Sequence, residues 1–382
     1  MSKLSDLVLS SQILGKASIA EAAKTDSVTS FPEKTLVKLK SSRLLTASIP
    51  EEFGGLNLGL TPGTNLALLN ILKNIGKGNL VMGRILEGHI NAQILINQFG
   101  NVKQKKLFSS EAFEGHLFGV WNTQATDGTY FSKSKRGVYF LNGSKTFTTG
   151  AGYVTRPIVT AARKDGSWQM CVVPFENETA KIDSSWWNPM GMQSSRSFKT
   201  TFTKTNIPKI NLLGSPGEYY QQPGFSGGSV RFAAVQLGGA EQLLDETKAY
   251  LVALDRIQDP FQKMRLGQMA IAIESGNQWL NGAAVKMDDY LREPTKRNGE
   301  DFIFLSNMMR TAIEQICTDV MILCQKSVGA RGLNRPYHFE RIIRDLSTYL
   351  RQPAPDAVLT EIGSFILNSD TPATDIWNQI KK

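Results

Sequence analysis

The segment Lys326–Leu359, KSVGARGLNRPYHFERIIRDLSTYLRQPAPDAVL, gathers the residue types most able to do chemistry. A Gly329-x-x-Gly332 turn leads into a helix marked Glu340-Arg341-x-x-Arg344-Asp345. Then comes Gln352-Pro353-Ala354-Pro355-Asp356, followed by Glu361. Carboxylates are candidates for general acid–base work. Asp356 has two readings. It is a proton acceptor, or it caps a helix beginning Ala357-Val358-Leu359. The flanking prolines stiffen this loop.

Other chemistries are excluded. The three histidines, His89, His116 and His338, are widely spread, so a histidine-based metal site is not expected. Cys171, Cys317 and Cys324 have neither disulfide nor zinc spacing. There is no Gly-x-Gly-x-x-Gly after a strand, no phosphate-binding Gly-x-x-x-x-Gly-Lys-Ser/Thr and no Gly-x-Ser-x-Gly elbow. The net charge of +9 favours anionic partners such as a nucleotide cofactor or coenzyme A. The basic clusters, Lys103-Gln104-Lys105-Lys106 and Lys133-Ser134-Lys135-Arg136, lack interleaved aromatics, so nucleic acid is not an expected partner. No run of about 18 apolar residues is present, so membrane insertion is not expected. The first residues carry charge in every turn and lack a signal-peptide pattern, which points to the cytoplasm.

These residues must be positioned by elements whose periodicity changes twice. Residues 1–114 carry helical stripes, such as Leu66, Leu69, Ile71 and Leu72. Residues 115–215 hold short runs of strand formers. Pro157–Arg163 and Trp168–Phe175 flank the turn Lys164-Asp165-Gly166-Ser167, and Phe198, Thr200 and Phe202 alternate with polar residues. Residues 216–382 return to long helical stripes with short connections. One runs Val230, Ala234, Leu237, Leu244, Leu251, Leu254; another runs Leu266, Met269, Ile273, Leu280, Ala284, Met287, Leu291. The expected class is α+β: an N-terminal helical domain, a middle β-barrel-like domain and a C-terminal four-helix bundle.

Several motifs fall in an order that resembles the acyl-CoA dehydrogenase family. Pro50-Glu51-Glu52-Phe53-Gly54-Gly55-Leu56 resembles its Pro-Glu-x-x-Gly-Gly loop, and Gln98-Phe99-Gly100 with Gln104-Lys105 the helix before its β domain. Asn142-Gly143-Ser144-Lys145-Thr146-Phe147-Thr148-Thr149 is similar to Asn-Gly-x-Lys-x-Trp-Ile-Thr. Gly191-Met192-Gln193-Ser194-Ser195, Ile207-Pro208 and Asn211-Leu212-Leu213-Gly214 resemble a long strand and its exit. The carboxy-terminal frame resembles the helix that leads to the catalytic glutamate.

The resemblance implies FAD as cofactor. It places Thr149 near flavin N5, Phe147 beside the ring and Thr123 at the ring edge, although Thr123 also reads as a plain strand end. It implies diphosphate or adenine contacts from Arg256, Lys326, Gly329 and Arg331, partly across a subunit boundary, and hence a homodimer or homotetramer. It also places Pro353 where the glutamate should stand. Proline supplies neither a carboxylate nor an N–H. The catalytic residue is therefore left unknown, with Asp356 the weak local candidate. Three functions compete: an FAD-dependent oxidoreductase acting on an acyl-CoA or related acyl substrate, a flavin-dependent monooxygenase of the same fold, and a non-catalytic flavin-binding or assembly protein.

Overall fold

Residues 3–175, 180–351, 354–370 and 372 are described by a computed structural model. Five helices come first: α1 (Lys3–Lys24), α2 (Glu33–Ser41), α3 (Asn65–Gly78), α4 (Leu80–Phe99) and α5 (Val102–Phe113). Helix α4 starts at Asn79, whose side chain accepts from the Met82 N–H at 3.1 Å, and it is buried along most of its length. Helix α5 opens with a reciprocal Asn101–Gln104 capping box. The Gln104 amide also donates to the Ile210 and Leu212 carbonyls at 2.9 and 2.7 Å, which ties this helix to the end of the β domain.

The strands are β1 (Phe118–Trp121), β2 (Tyr130–Lys133), β3 (Tyr139–Thr148), β4 (Arg156–Ala162), β5 (Trp168–Val172), β6 (Ala180–Asp183), β7 (Phe198–Ile207) and β8 (Leu212–Leu213). They form one sheet in the order β6-β7-β3-β2-β4-β5-β8, with β1 parallel to β4. The β4–β5 hairpin closes as its sequence requires. Gly166 takes φ +81°, and the Arg163 N–H donates to the Ser167 carbonyl at 2.8 Å. Residues Gly191–Ser195 lie before β7, in a loop and a 3-10 turn.

The last helices are α6 (Gly227–Ala253), α7 (Pro260–Arg292), α8 (Lys296–Gly332), α9 (Phe339–Tyr349) and α10 (Pro355–Leu367). Of the α7 stripe, Met269, Ile273, Leu280, Ala284 and Met287 are buried, whereas Leu291 near the helix end is exposed. Cys317 and Cys324 are buried on α8, and all three cysteines are free thiols. Each fully buried aliphatic side chain contributes about 1.5–3 kcal/mol relative to exposure. Helices α3 and α6 cross backbone to backbone. A Cβ at Gly76 would stand 2.4 Å from the Val235 carbonyl oxygen, and one at Gly238 2.1 Å from that of Lys73. This crossing anchors the amino-terminal helices to the bundle. Among the described residues no helix is long and apolar enough to cross a membrane.

Candidate functional site

The site begins with a fault in strand β3. Its register against β7 shifts between Lys145 and Thr148, and Phe147 takes a left-handed φ of +53°. The bulge turns the Phe147 ring outward, leaving it 50% exposed. The ring meets Trp186 and Trp187 edge-on at 5.0 and 5.9 Å, while the two indoles stack on each other. Of this tryptophan pair, Trp187 lines the cavity. Just past the bulge, Thr149 Oγ1 lies 2.9 Å from Ser197 Oγ, which lies 2.8 Å from Ser195 Oγ. The Thr149 carbonyl accepts from Trp121 Nε1 at 3.0 Å. Thr123 is exposed beyond the end of β1, its carbonyl accepting the Thr146 N–H at 3.1 Å. An aromatic wall thus stands beside a row of hydroxyls.

This wall faces a cavity of about 630 Å³. Helices α4, α6, α8, α9 and α10 and the segment from Tyr219 to Ser226 supply most of the remaining lining. The α4 side is charged. Glu87, 1% exposed, accepts from Arg84 and from the Asn91 amide, and Asn91 Oδ1 accepts from Arg231 Nε. Burial works against the Arg84 charge, but Glu87 and the Tyr349 hydroxyl outweigh it and hold the guanidinium above its ordinary value. Burial pulls Arg231 down to about 10, partly offset by Glu87. Burial and the nearby Glu87 charge push the Tyr349 phenol well up. At neutral pH this side holds two guanidinium charges and a neutral phenol.

The charged motif of α9 does not reach into the cavity chemistry; it seats a loop. Asp345 accepts the Met192 N–H at 2.5 Å and Arg341 Nη1 at 3.2 Å. Burial raises the Asp345 carboxyl, with Arg341 opposing. Arg344 reaches Asp26 at 2.5 Å, Glu340 at 2.7 Å and the Met190 carbonyl at 3.0 Å. Gly191 donates to Thr348 Oγ1 at 2.9 Å, and a Cβ there would stand 2.0 Å from the Arg344 carbonyl oxygen. The loop held this way brings Met192 and Ser195 to the cavity lining, Ser195 as part of the hydroxyl row.

The remaining candidates separate into groups. Arg256 is exposed in the α6–α7 loop and pairs with Asp259 at 2.7 Å. Lys326, Gly329 and Arg331 are exposed at the end of α8, where Gly329, at φ +60° and ψ −172°, breaks the helix. None of these four lines the cavity that Thr123, Phe147 and Thr149 line. Pro353 lies outside the described residues. Asp356 is exposed in the first turn of α10 and is not part of the lining. It is not the helix cap either. Pro355 suits the first helical position because its φ is fixed, so the cap is Ala354. Glu361 does line the cavity and accepts from Asn307 at 3.1 Å. Among the described residues no cluster could hold a metal ion.

The Arg84–Glu87–Asn91 row, buried at Glu87 and half-buried at Arg84 and Asn91, escaped the sequence reading. Its spacing was the available signal: polar residues three and four apart on a helix otherwise rich in aliphatic residues.

The acyl-CoA dehydrogenase N-terminal domain profile matches residues 12–116, and the C-terminal domain profile matches residues 217–350. The chain belongs to the acyl-CoA dehydrogenase family. Probable acyl-CoA dehydrogenase YngJ of Bacillus subtilis is 28% identical over 345 residues, 85% of this chain and 87% of that protein. Dibenzothiophene monooxygenase of Mycolicibacterium goodii is 22% identical and is covered to 87%, as is this chain. Among solved structures, FMN-bound TdsC from Paenibacillus sp. A11-2 shares the fold with a TM-score of 0.86 at 18% identity, over 98% of this chain and 100% of TdsC. Butyryl-CoA dehydrogenase from Megasphaera elsdenii gives 0.82 at 21% identity, over 96% and 99%. Membership of the acyl-CoA dehydrogenase family makes the chain a flavoprotein oxidoreductase with the fold the motif order implied. The site fits a flavin on its own evidence. A half-exposed aromatic wall beside a hydroxyl edge suits the face and polar rim of a planar heteroaromatic ring.

Proposed function

We propose that this chain is an FAD-dependent oxidoreductase acting on an acyl-CoA or a related acyl substrate. The observation that carries the reading is the cavity of about 630 Å³ enclosed by the Phe147–Trp187 wall, the Thr149–Ser197 edge and the charged face of α4. Three units, residues 1–114, 115–215 and 216–382, each supply part of the enclosure. A bound flavin supplies the electron chemistry. The chain orients the ring edge through Thr149 and Thr123, screens it from water with Phe147 and Trp187, and offers Glu361 as the described cavity carboxylate not engaged with arginine by a hydrogen bond. Lys326, Arg331 and Arg256 are exposed away from the cavity, which suits contacts to the FAD diphosphate of a neighbouring copy in a homodimer or homotetramer. The cytoplasm is the proposed location.

One observation favours the monooxygenase reading as runner-up. Pro353 stands at the motif position of the glutamate, and oxygen insertion needs no base for an α-proton.

Anaerobic titration of the flavin-loaded protein with acyl-CoAs separates the two. The acyl-CoA reading expects slow bleaching of the flavin that Glu361→Gln lowers by about 10²–10⁴-fold, the usual worth of a placed base. Absence of any bleaching, with substrate-dependent oxygen uptake by the chemically reduced protein, would transfer the assignment to the monooxygenase.

A further inference from the structure

Arg231 is a guanidinium short of partners. It lies near the start of α6, lines the cavity and is 6% exposed. Among the described residues its one hydrogen bond runs from Nε to Asn91 Oδ1. The adjacent buried carboxylate, Glu87, is already bonded to Arg84 and to the Asn91 amide. One carboxylate therefore faces two guanidiniums. Arg310, with its charge over the Phe232 ring at 5.5 Å, lines another part of the same cavity, where Glu314 and Glu361 oppose the effect of burial on it.

A buried charge is stable only when paired and hydrogen-bonded. Burial pulls Arg231 down, with Glu87 the one opposing charge. A saturated alkyl tail laid against this face would strip water from the guanidinium and return no hydrogen bond. A carboxylate would answer both deficits, because its two oxygens match the two-pronged guanidinium edge.

We infer that the cavity selects a substrate whose acyl group ends in an oxyanion, in the first instance a carboxylate, docked on Arg231 with Arg84 beside it. The inference rests on the acyl-CoA reading above and deepens it. The acyl tail lies toward α4 and α6, and the thioester end lies toward the Phe147–Thr149 wall. Arg231 and Arg84 act as specificity-determining residues, separate from any proton transfer.

The experiment is calorimetric binding to the flavin-loaded protein. It compares glutaryl-CoA with pentanoyl-CoA, which differ only in the terminal carboxylate against methyl, and includes free glutarate as a third ligand. The expected result is glutaryl-CoA binding about 10–100-fold more tightly, the worth of a charge-assisted pair. Arg231→Gln should abolish the preference, so that glutaryl-CoA binds no more tightly than pentanoyl-CoA measured in the same variant. The wild-type comparison decides even if that variant does not fold. Equal or weaker binding of glutaryl-CoA overturns the oxyanion site and leaves the acyl-CoA reading standing. Binding of free glutarate but of neither thioester keeps the oxyanion site and overturns the acyl-CoA reading. Silence from all three overturns both.

Discussion

Lys145 shows how a residue of the flavin-wall motif can serve the fold instead of the ligand. Its side chain is fully buried beneath the bulge, and Nζ donates to the Asn122 carbonyl at 2.8 Å and to Thr160 Oγ1 at 2.9 Å. Among the described residues no carboxylate pairs with it. Burial pulls the amine down to about 7, slightly offset by Cys171. In the unfolded chain the amine titrates near 10.4, so between these values the folded state holds fewer protons and stability rises with pH. The buried thiols oppose this higher up. Burial pushes Cys171 up to about 12 and Cys324 to about 11, so the unfolded state loses thiol protons first and stability falls above about pH 8.5. The melting temperature of the wild type should therefore climb between about pH 7 and 8.5, and that climb should vanish in Lys145→Met. Parallel slopes in the two proteins would show that the amine is charged throughout. Asp356 gives the opposite kind of prediction. It is exposed and outside the cavity lining, so Asp356→Asn should leave turnover within about twofold and stability within about 0.5 kcal/mol.

At the scale of elements, α9 is a latch. Asp345 is 3% exposed and its ion-pair partner Arg341 6%, and the Asp345 carboxylate accepts the Met192 N–H. Asp345→Asn removes one partner of a buried pair and should cost about 3–5 kcal/mol, read as a lowered midpoint in urea. Flavin affinity should fall with it, because the Met192–Ser195 segment, which lines the cavity and supplies Ser195 to the hydroxyl row, loses its seat. A variant with reduced stability but unchanged flavin affinity would show that the latch and the wall are independent. These elements also mark what the sequence discloses. Helices α6 and α7 were legible because their apolar residues recur at helical spacing, and the β4–β5 hairpin because its turn needs Gly166 at positive φ. Phe147 and Thr149 were legible as neighbours in one short motif. The Glu87–Asn91–Arg231 network was not. Asn91 and Arg231 meet across 140 positions, and polar residues on a helix are equally compatible with a solvated face until tertiary packing buries it. The Asp356 cap failed for a local reason, since proline at 355 takes the first helical position and moves the cap to Ala354.

For the whole molecule, the size of the cofactor and the assembly are one question. Thr123, Phe147 and Thr149 line one cavity, and in the proposed reading they would face the isoalloxazine part that FAD and FMN share. Lys326, Arg331 and Arg256 are exposed and outside that cavity, so a single chain offers them nothing to bind there. If they hold a diphosphate, a second copy must bring them to it, and FAD affinity then depends on protein concentration by mass action. FAD should bind more tightly than FMN in the assembled protein. Dilution to monomer should erase the difference. The double variant Lys326→Ala, Arg331→Ala should weaken FAD by about tenfold or more, the scale of one charge-assisted contact, and leave FMN unchanged. Equilibrium dialysis of both flavins, with sedimentation of the same samples, measures each term. If FMN binds as well as FAD at every concentration and the double variant changes neither, the end of α8 has no cofactor role. The chain would then hold its flavin within one subunit, between the aromatic wall and the charged face of α4.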